Sequence, residues 1–208
     1  MTLAALAPFE PGQGTVLRSA VEHRLREAGA TIEARGPWRV ATAVPGEEAH
    51  LEHVGVADAS HVAKVEVRGG AAPARAERRE VLEVAPGRWI VLCAWEDRAD
   101  VAAELRSGER RLVLDMTSAW AALVLAGPQA ERLLRRLGPI AAVPGGGPVA
   151  GVPGRVTRRA GALWVLVAVE YAQHVWDVCA DLCVPLRGGP AGLDAVGRLT
   201  GDPLLAPS

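Results

Sequence analysis

Three side chains capable of acid–base or nucleophilic chemistry stand together in the stretch VGVADASHVAKVEVRG, residues 54–69. Asp58, Ser60 and His61 are the residue types of an orienting carboxylate, a nucleophile and its base. They are too close in sequence for a triad geometry to be inferred. Asp58 and Ser60 instead suit a turn, because their oxygens accept hydrogen bonds from nearby backbone N–H groups. The pattern therefore favours a structural turn over a reaction centre.

Histidines near this turn are the candidate metal ligands. His50 and His53 are three residues apart on a predicted helix, so they share a face, and His61 follows closely. No carboxylate can be assigned to orient these imidazoles, as metal-binding histidines require. Cys179 and Cys183 are four residues apart on a helical pattern, but a zinc site needs more ligands. The sequence predicts that no metal is required.

The composition bounds the class of protein. The chain has 208 residues, half of them hydrophobic, with a formal net charge of −1. This suits a globular domain with a substantial core, and it offers no basic surface for nucleic acid or an anionic membrane. No run of about 18 apolar residues and no signal-peptide pattern is present. With its three cysteines interpreted as reduced thiols, we expect a cytoplasmic protein that binds neither nucleic acid nor membrane.

Alternating strands and helices must position these side chains. After the turn, Val65 and Val67 alternate with Lys64, Glu66 and Arg68, which predicts a strand. Periodicity and end signals elsewhere predict the other elements. We predict helices at 15–29, 45–55, 98–108, 127–138 and 170–186, strands at 37–42 and 61–69, and strand pairs within 80–95, 110–127 and 155–169.

The strands come in hairpin-like pairs, and this pairing decides the fold class. It favours an α+β fold with mixed, largely antiparallel sheets and packed helices over a doubly wound parallel sheet. Residues 143–154 are predicted as turns, and 188–208 as loop with at most one helical turn. GGGP at 145–148 precedes no helix and lacks a following Lys-Ser/Thr, so a phosphate-binding loop is not expected.

The order of several motifs resembles the aminomethyltransferase superfamily, which includes the glycine cleavage T-protein and subunits of heteromeric sarcosine oxidase. The motifs are EEAHLEHVGVADASHVAKVEVRG, GRWIVLCAWEDRADVAAEL, LVLDMTSAWAALVLAGPQAERLL and PAGLDAVGRL. The resemblance implies a folate-binding aminomethyltransferase-like fold of two intertwined lobes, in a short form without the C-terminal barrel. It implies a flexible N-terminus at 1–14, one two-lobed domain at 15–201, and a tail at 202–208.

The resemblance also implies site residues. Asp100 takes the position of the family's catalytic aspartate, which orients or activates the folate nitrogen, and is expected to line the cleft between the lobes. Asp115 fits a turn aspartate, and with Trp120 and Arg198 it falls where contacts to a cofactor are expected. That cofactor would be tetrahydrofolate. However, no glutamate stands between Val156 and Val169 to bind a pterin, which argues against folate.

Two functions stay open at this point. The first is a T-protein-type transferase of one-carbon or amine metabolism, which would act on a small amine or folate-like ligand between its lobes. The second is a non-catalytic subunit, similar to the gamma subunit of tetrameric sarcosine oxidase, with the other subunits of an amine-oxidising complex as partners. The Asp100 position favours the first, and the chain length and the missing glutamate favour the second.

Overall fold

The computed structural model describes residues 12, 14–107 and 111–206 of the chain. The helices are α1 (Glu22–Glu27), α2 (Glu47–Leu51), α3 (Arg98–Arg106), α4 (Ala130–Leu137), α5 (Ala172–Cys183) and α6 (Leu193–Thr200). The strands are β1 (Leu17–Arg18), β2 (Thr31–Arg35), β3 (Trp38–Ala43), β4 (Gly55–Asp58), β5 (Ala63–Arg68), β6 (Arg79–Ala85), β7 (Arg88–Cys93), β8 (Leu112–Asp115), β9 (Trp120–Ala126), β10 (Gly145–Val149), β11 (Val152–Arg159), β12 (Ala162–Ala168) and β13 (Gly189–Pro190).

The first predicted helix is shorter than its apolar pattern indicates. Residues Leu17–Arg18 form β1 instead, which pairs in parallel with Trp38–Arg39 of β3. Backbone hydrogen bonding to the neighbouring strand therefore takes the first turn away from the helix. The predicted helix end is confirmed, because Gly29 adopts a left-handed backbone with φ of +79° just after Ala28, the residue that caps α1.

Two segments predicted to lack regular structure contain it. Residues 143–154 were expected to form turns, yet they hold β10 and the start of β11, which pair with each other in antiparallel register. The segment 188–208 holds β13 and α6, a helix of eight residues. Both predictions were wrong because glycine and proline are frequent in these stretches, while tertiary pairing and packing override the weak local preferences of their sequences.

Three sheets carry the fold. A small sheet has the order β1-β3-β2, a six-stranded sheet has the order β10-β11-β12-β9-β4-β13, and a four-stranded sheet has the order β6-β7-β5-β8. Neighbouring strands are antiparallel except for the β1–β3 and β4–β13 pairs. The predicted α+β class with largely antiparallel sheets and packed helices is thereby confirmed.

The six-stranded sheet is covered on both faces. On β9, Leu123 and Leu125 point to one core together with residues of α1, α4 and α5. Val124 of the same strand points to the opposite core, with Trp164 of β12 and Ile90 of the four-stranded sheet. The strands of a sheet buried on both faces are apolar at nearly every position, as β9 and β12 are. A third core lies between the four-stranded sheet and α3.

The chain interlaces the two larger sheets. It enters the six-stranded sheet at β4, leaves to form β5 to β8 of the four-stranded sheet, and returns at β9 to pair with β4. The turn at residues 59–62 and the 3-10 turn at Thr117–Ala119 are therefore the two crossing points between the sheets. Residues placed at these crossings lie where the sheets face each other.

The predicted domain limits stay predictions. Residues 1–11 and 13 of the proposed flexible N-terminus lie outside the described residues. In the proposed tail, Asp202, Leu204 and Leu205 are buried against the core. The described part of that segment is thus packed against the rest of the chain.

Candidate functional site

The turn between β4 and β5 has the structural role that the sequence predicts. The backbone N–H of Ser60 donates to Asp58 Oδ1 at 3.0 Å, and Ser60 Oγ accepts from the backbone N–H of Ala122 at 3.2 Å. Ala59 donates its backbone N–H to the carbonyl of Ala122 at 2.8 Å. Within the described residues, His61 Nδ1 is buried without a hydrogen-bond partner. The hydroxyl of Ser60 is thus bound to the adjacent strand, and this turn joins the crossing to β9.

Lys64, the single lysine of the chain, lies in this crossing and is fully buried. Its Nζ donates to the carbonyl of Ser60 at 2.6 Å, and its backbone N–H donates to Thr117 Oγ1 at 3.1 Å. Burial lowers the pKa of Lys64 to about 7, although the charges of Asp58 and Asp115 act in the opposite direction. The amine is therefore partly neutral at neutral pH. Through its amine and its backbone N–H together, Lys64 joins the two crossing turns.

Burial also shifts the two titratable neighbours of Lys64. It lowers the pKa of His61 to about 3, with the positive charges of Arg35 and Lys64 adding to the effect. It raises the pKa of Asp58, although hydrogen bonds from Ser19 and Ser60 and the charge of Lys64 oppose the shift. His61 is consequently a neutral imidazole across the physiological range, which suits packing rather than proton transfer near pH 7.

Asp115 is committed to the second crossing turn. Its Oδ1 accepts hydrogen bonds from the backbone N–H of Thr117 at 2.9 Å and from Thr117 Oγ1 at 2.6 Å. Arg98 Nε lies 3.7 Å from Asp115 Oδ2, and the Arg98 guanidinium stacks 3.8 Å from the ring centroid of Trp95. The interpretation of Asp115 as a turn residue is confirmed, and its proposed cofactor contact stays a prediction.

Asp100 and Arg198 lie away from these crossings. Asp100 is exposed in the first turn of α3, and Arg198 is exposed on α6. Neither residue lines any of the cavities described below. The expectation that Asp100 lines a cleft between the lobes stays a prediction, as do the catalytic and cofactor roles of these two residues.

Trp120 lines a cleft, which we call the Trp120 cleft, between the edges of the two larger sheets. The cleft has a volume of about 420 Å³ and is formed by the β10–β11 hairpin, the end of β6, the start of β7 and the first residue of β9. Its lining residues are Val84, Arg88, Trp120, Gly147, Pro148, Gly151, Val152, Pro153, Gly154 and Arg155. The volume falls in the range of small-molecule sites.

Both arginines of the Trp120 cleft are held in place by hydrogen bonds to other residues of the protein. Arg88 Nε and Nη2 each lie 2.9 Å from the carboxylate of Glu66, which is fully buried and also accepts a hydrogen bond from Arg68. Arg155 Nη2 donates to the carbonyl of Val84 at 2.6 Å. Burial alone would raise the pKa of Glu66, but the two guanidinium groups outweigh it and lower this pKa. The charges of the cleft are thus held in fixed positions.

Sequence reasoning identified Trp120 but missed the rest of this cleft. Arg88 and Arg155 are two among many arginines, and no local pattern distinguishes them. Lys64 and Glu66 were treated only as the polar positions of an alternating strand. The β5–β7 register places Arg88 opposite Arg68 and therefore diagonally across from Glu66, and no local stretch of sequence gives that register.

The segment in which the resemblance expects a pterin-binding glutamate contributes a tryptophan to the interior. On β12, Leu163 and Trp164 are both fully buried and lie on opposite faces of the six-stranded sheet. Trp164 fills space between the two larger sheets, and its Nε1 has no hydrogen-bond partner among the described residues. None of the cavities around the Trp120 cleft includes these side chains. The interior here is packed with apolar atoms.

The histidines near the turn have separate partners. His50 Nδ1 lies 2.8 Å from the carbonyl of Pro190, and His53 Nδ1 lies 3.2 Å from the side-chain nitrogen of Gln129. No group of three or more His, Cys, Asp or Glu side chains suited to a metal occurs in residues 12, 14–107 and 111–206. Over the same residues, no helix is both long and apolar enough to cross a bilayer.

Solved structures share this fold, although no protein-family model and no curated protein matches the sequence. The glycine cleavage system aminomethyltransferase T from Bartonella henselae gives a TM-score of 0.70 at 18% identity, over 89% of this chain. Only 62% of that enzyme is covered, so the chain spans less than two thirds of its length. A chain of the heterotetrameric sarcosine oxidase from Corynebacterium sp. U-96, in complex with pyrrole 2-carboxylate, gives a TM-score of 0.59 at 16% identity. Here 85% of this chain and 99% of that chain are covered.

These likenesses define the fold as aminomethyltransferase-like, as the motif order predicts. Both relatives implied by that order, an aminomethyltransferase T and a sarcosine oxidase chain, are among the structures that share it. At such identities the likeness concerns the fold, and the function has to be argued from the site itself.

Proposed function

We propose that the chain is a non-catalytic subunit of a heteromeric amine-oxidising complex. The observation that carries this proposal is that the reactive side chains at the two crossing turns are engaged in structural hydrogen bonds. Asp58 and Asp115 each accept from the backbone of their own turn, Ser60 accepts from β9, and Lys64 joins the two turns. Asp100 is exposed on α3, away from these turns. A catalytic site needs such groups to converge on a common reacting atom.

Two further observations support a subunit. The sarcosine oxidase chain that shares the fold is covered over 99% of its length and belongs to a heterotetramer. The interior near Trp164 is packed with apolar side chains, and the described lining of the Trp120 cleft offers a folate ring no carboxylate. The fold in this proposal acts as a scaffold that other subunits contact.

Co-expression tests this proposal directly. The chain would be produced with the subunits of an amine-oxidising enzyme from the same genome, and the mass of the purified assembly would be measured by light scattering. We expect this chain to purify as part of one assembly. That assembly should oxidise sarcosine and release hydrogen peroxide, whereas the chain alone should show no turnover. The proposal would be overturned if the other subunits assembled and turned over equally well without this chain, and this chain eluted separately from them.

Asp100→Asn is the matched variant for this experiment. We expect it to leave assembly and oxidase turnover unchanged, and to alter the free energy of unfolding by no more than about 0.5 kcal/mol, because the carboxylate is exposed. Loss of a positioned catalytic acid or base instead lowers turnover by about 10²–10⁴-fold. A fall of that size, with the melting temperature unchanged, would show that Asp100 acts in catalysis.

A second candidate is a one-carbon transferase that acts on a small amine or a folate-like ligand. The TM-score of 0.70 to an aminomethyltransferase favours it. Titration calorimetry with tetrahydrofolate separates the two candidates. We expect weak or no binding, because β12 supplies Leu163 and Trp164 rather than a carboxylate. A dissociation constant of about 1 μM or lower would favour the transferase.

A further inference from the structure

We infer that the Trp120 cleft binds a small, flat, apolar molecule that carries a carboxylate. This inference concerns a ligand site and goes beyond the proposed role as a subunit, so either can fail without the other. It rests on three features of the cleft: an aromatic wall, two fixed guanidinium groups, and a lining without acidic side chains.

The aromatic wall suits a planar ligand. Trp120 is partly exposed at the start of β9 and packs its inner side against the core between the two larger sheets. Val84, Val152 and Pro153 add apolar surface around it. Aromatic rings bind flat apolar groups by stacking and edge contacts, which contribute beyond the area that they bury. A single aromatic ring or two fused rings fit a volume of about 420 Å³.

The two guanidinium groups suit a carboxylate. Arg88 directs Nε and Nη2 to Glu66, and Arg155 directs Nη2 to the carbonyl of Val84, so each keeps further N–H groups for a ligand. Arginine matches the planar carboxylate with paired hydrogen bonds, and groups held in advance lose little entropy on binding. The positive charge of Arg88 is balanced by the carboxylate of Glu66. Among the described residues, Arg155 is bound only to a neutral carbonyl, so it supplies the excess positive charge of the cleft.

The glycine run of β10 makes this arrangement possible. A Cβ atom at Gly146 would overlap the guanidinium of Arg155, which lies across β10 on its way to β6. Gly146 and Arg155 are also direct partners in the β10–β11 register. The absence of a side chain at position 146 therefore lets Arg155 span from the six-stranded sheet to the four-stranded sheet beside the cleft.

The described residues that line the cleft include no Asp or Glu. Glu83 lines a neighbouring cavity of about 600 Å³, which shares Val84 and Arg155 with the Trp120 cleft. An acidic ligand thus meets no opposing carboxylate in its own cleft, while a cationic amine would meet two guanidinium groups. The charge selects an anion over an amine substrate.

A matched pair of probes tests the inference without any variant. The probes are 2-naphthoate and the neutral 2-naphthalenemethanol, which share one ring system and differ in charge. Binding would be followed by the indole N–H signals of ¹⁵N-labelled protein, with Trp120→Phe used to assign the Trp120 signal. We expect the Trp120 signal to shift with 2-naphthoate at sub-millimolar concentration, and the alcohol to bind at least about tenfold more weakly.

Variants locate the charge. Arg155→Gln is expected to weaken 2-naphthoate binding about tenfold, Arg155→Lys to restore part of it, and Trp120→Ala to abolish it. Arg158→Gln is the control, because Arg158 is exposed on the same strand, pairs with Glu131 and does not line the cleft.

Three outcomes would overturn the inference. They are equal binding of the two probes, no shift of the Trp120 signal at 5 mM (roughly the weakest affinity of interest), and an equal loss of binding in Arg158→Gln. A Trp120 signal that responds only to assembly with another subunit would overturn it in favour of a protein partner.

Discussion

Lys64→Met is expected to remove a contribution that raises the free energy of unfolding of the wild-type protein by about 2 kcal/mol between pH 7 and pH 9. The lysine is fully buried, and burial lowers its pKa from 10.5 to about 7. Between these values the unfolded chain holds a proton on this amine that the folded protein releases. Raising the pH therefore favours folding in this window, and below pH 7 the full cost of a buried ammonium applies.

The window ends near pH 9 because the thiols act in the opposite direction. Burial raises the pKa of Cys93 and of Cys183 to about 12 from an ordinary value of 9. As the pH rises through 9 the unfolded chain loses thiol protons that the folded protein keeps, which lowers the stability of wild type and variant alike. The difference in stability between the two proteins at pH 7, 8 and 9 consequently isolates the effect of Lys64.

Urea unfolding at these three pH values gives the stability of wild type and variant. Because the chain has one lysine, ¹³Cε-lysine labelling yields a single side-chain signal whose shift reports the pKa directly. The loss of the donor to the Ser60 carbonyl costs the variant about 1–3 kcal/mol at every pH, so the slope is the diagnostic quantity. A lysine midpoint above pH 9, or equal slopes in the two proteins, would contradict the expectation.

Arg88→Ala is expected to lower the free energy of unfolding by about 2–4 kcal/mol at pH 7, because it leaves the Glu66 carboxylate buried with one partner. This expected loss is smaller than the loss for a fully buried ion pair, because the Arg88 side chain is 39% exposed and water screens its charge. Thermal and urea unfolding measure this loss. Arg68→Ala removes the more exposed partner of the same carboxylate and is expected to cost about 1 kcal/mol or less.

The pH dependence distinguishes this mechanism from simple loss of packing. In the wild type the guanidinium groups lower the pKa of Glu66, so the ion pair stabilises the fold above pH 4.5 and this contribution is lost as the pH falls through the lower folded value. Without Arg88, burial dominates and raises that pKa. The difference in stability between wild type and Arg88→Ala should therefore shrink as the pH falls from 7 to 4. A difference that stays constant with pH would mean that the loss is one of packing alone.

The sequence predicted the fold class because its strongest patterns are local. The hairpins around the Pro86-Gly87 turn and the Ala160-Gly161 turn, and the amphipathic α4 and α5, were each placed from periodicity and turn residues. The turn between β4 and β5 was interpreted correctly for the same reason, since the hydrogen bond that Asp58 accepts from a backbone N–H two residues ahead is a local interaction.

The candidate site depends on non-local contacts that no window of sequence contains. The alternation from Lys64 to Arg68 is typical of a strand with one face in water, yet Lys64 and Glu66 are fully buried because the six-stranded sheet covers that face. Likewise β10 has almost no strand propensity, and it is an edge strand fixed by β11 on one side, where proline is tolerated at position 148. The Trp120 cleft could be predicted only if the packing of the two larger sheets against each other were already known.

A chain whose single ε-amine is sealed inside has an unusual chemical surface. Reagents that acylate lysines, cross-linkers of the succinimidyl type and amine-coupling sensor chips find no lysine on the folded protein, whose exposed cations are arginines. Acylation of Lys64 then requires the crossing between the two larger sheets to open. The rate of acylation of Lys64, followed by mass spectrometry, therefore reports how often the crossing opens. A binding partner or ligand that holds the two sheets together would lower this acylation rate and could be recognised by that effect.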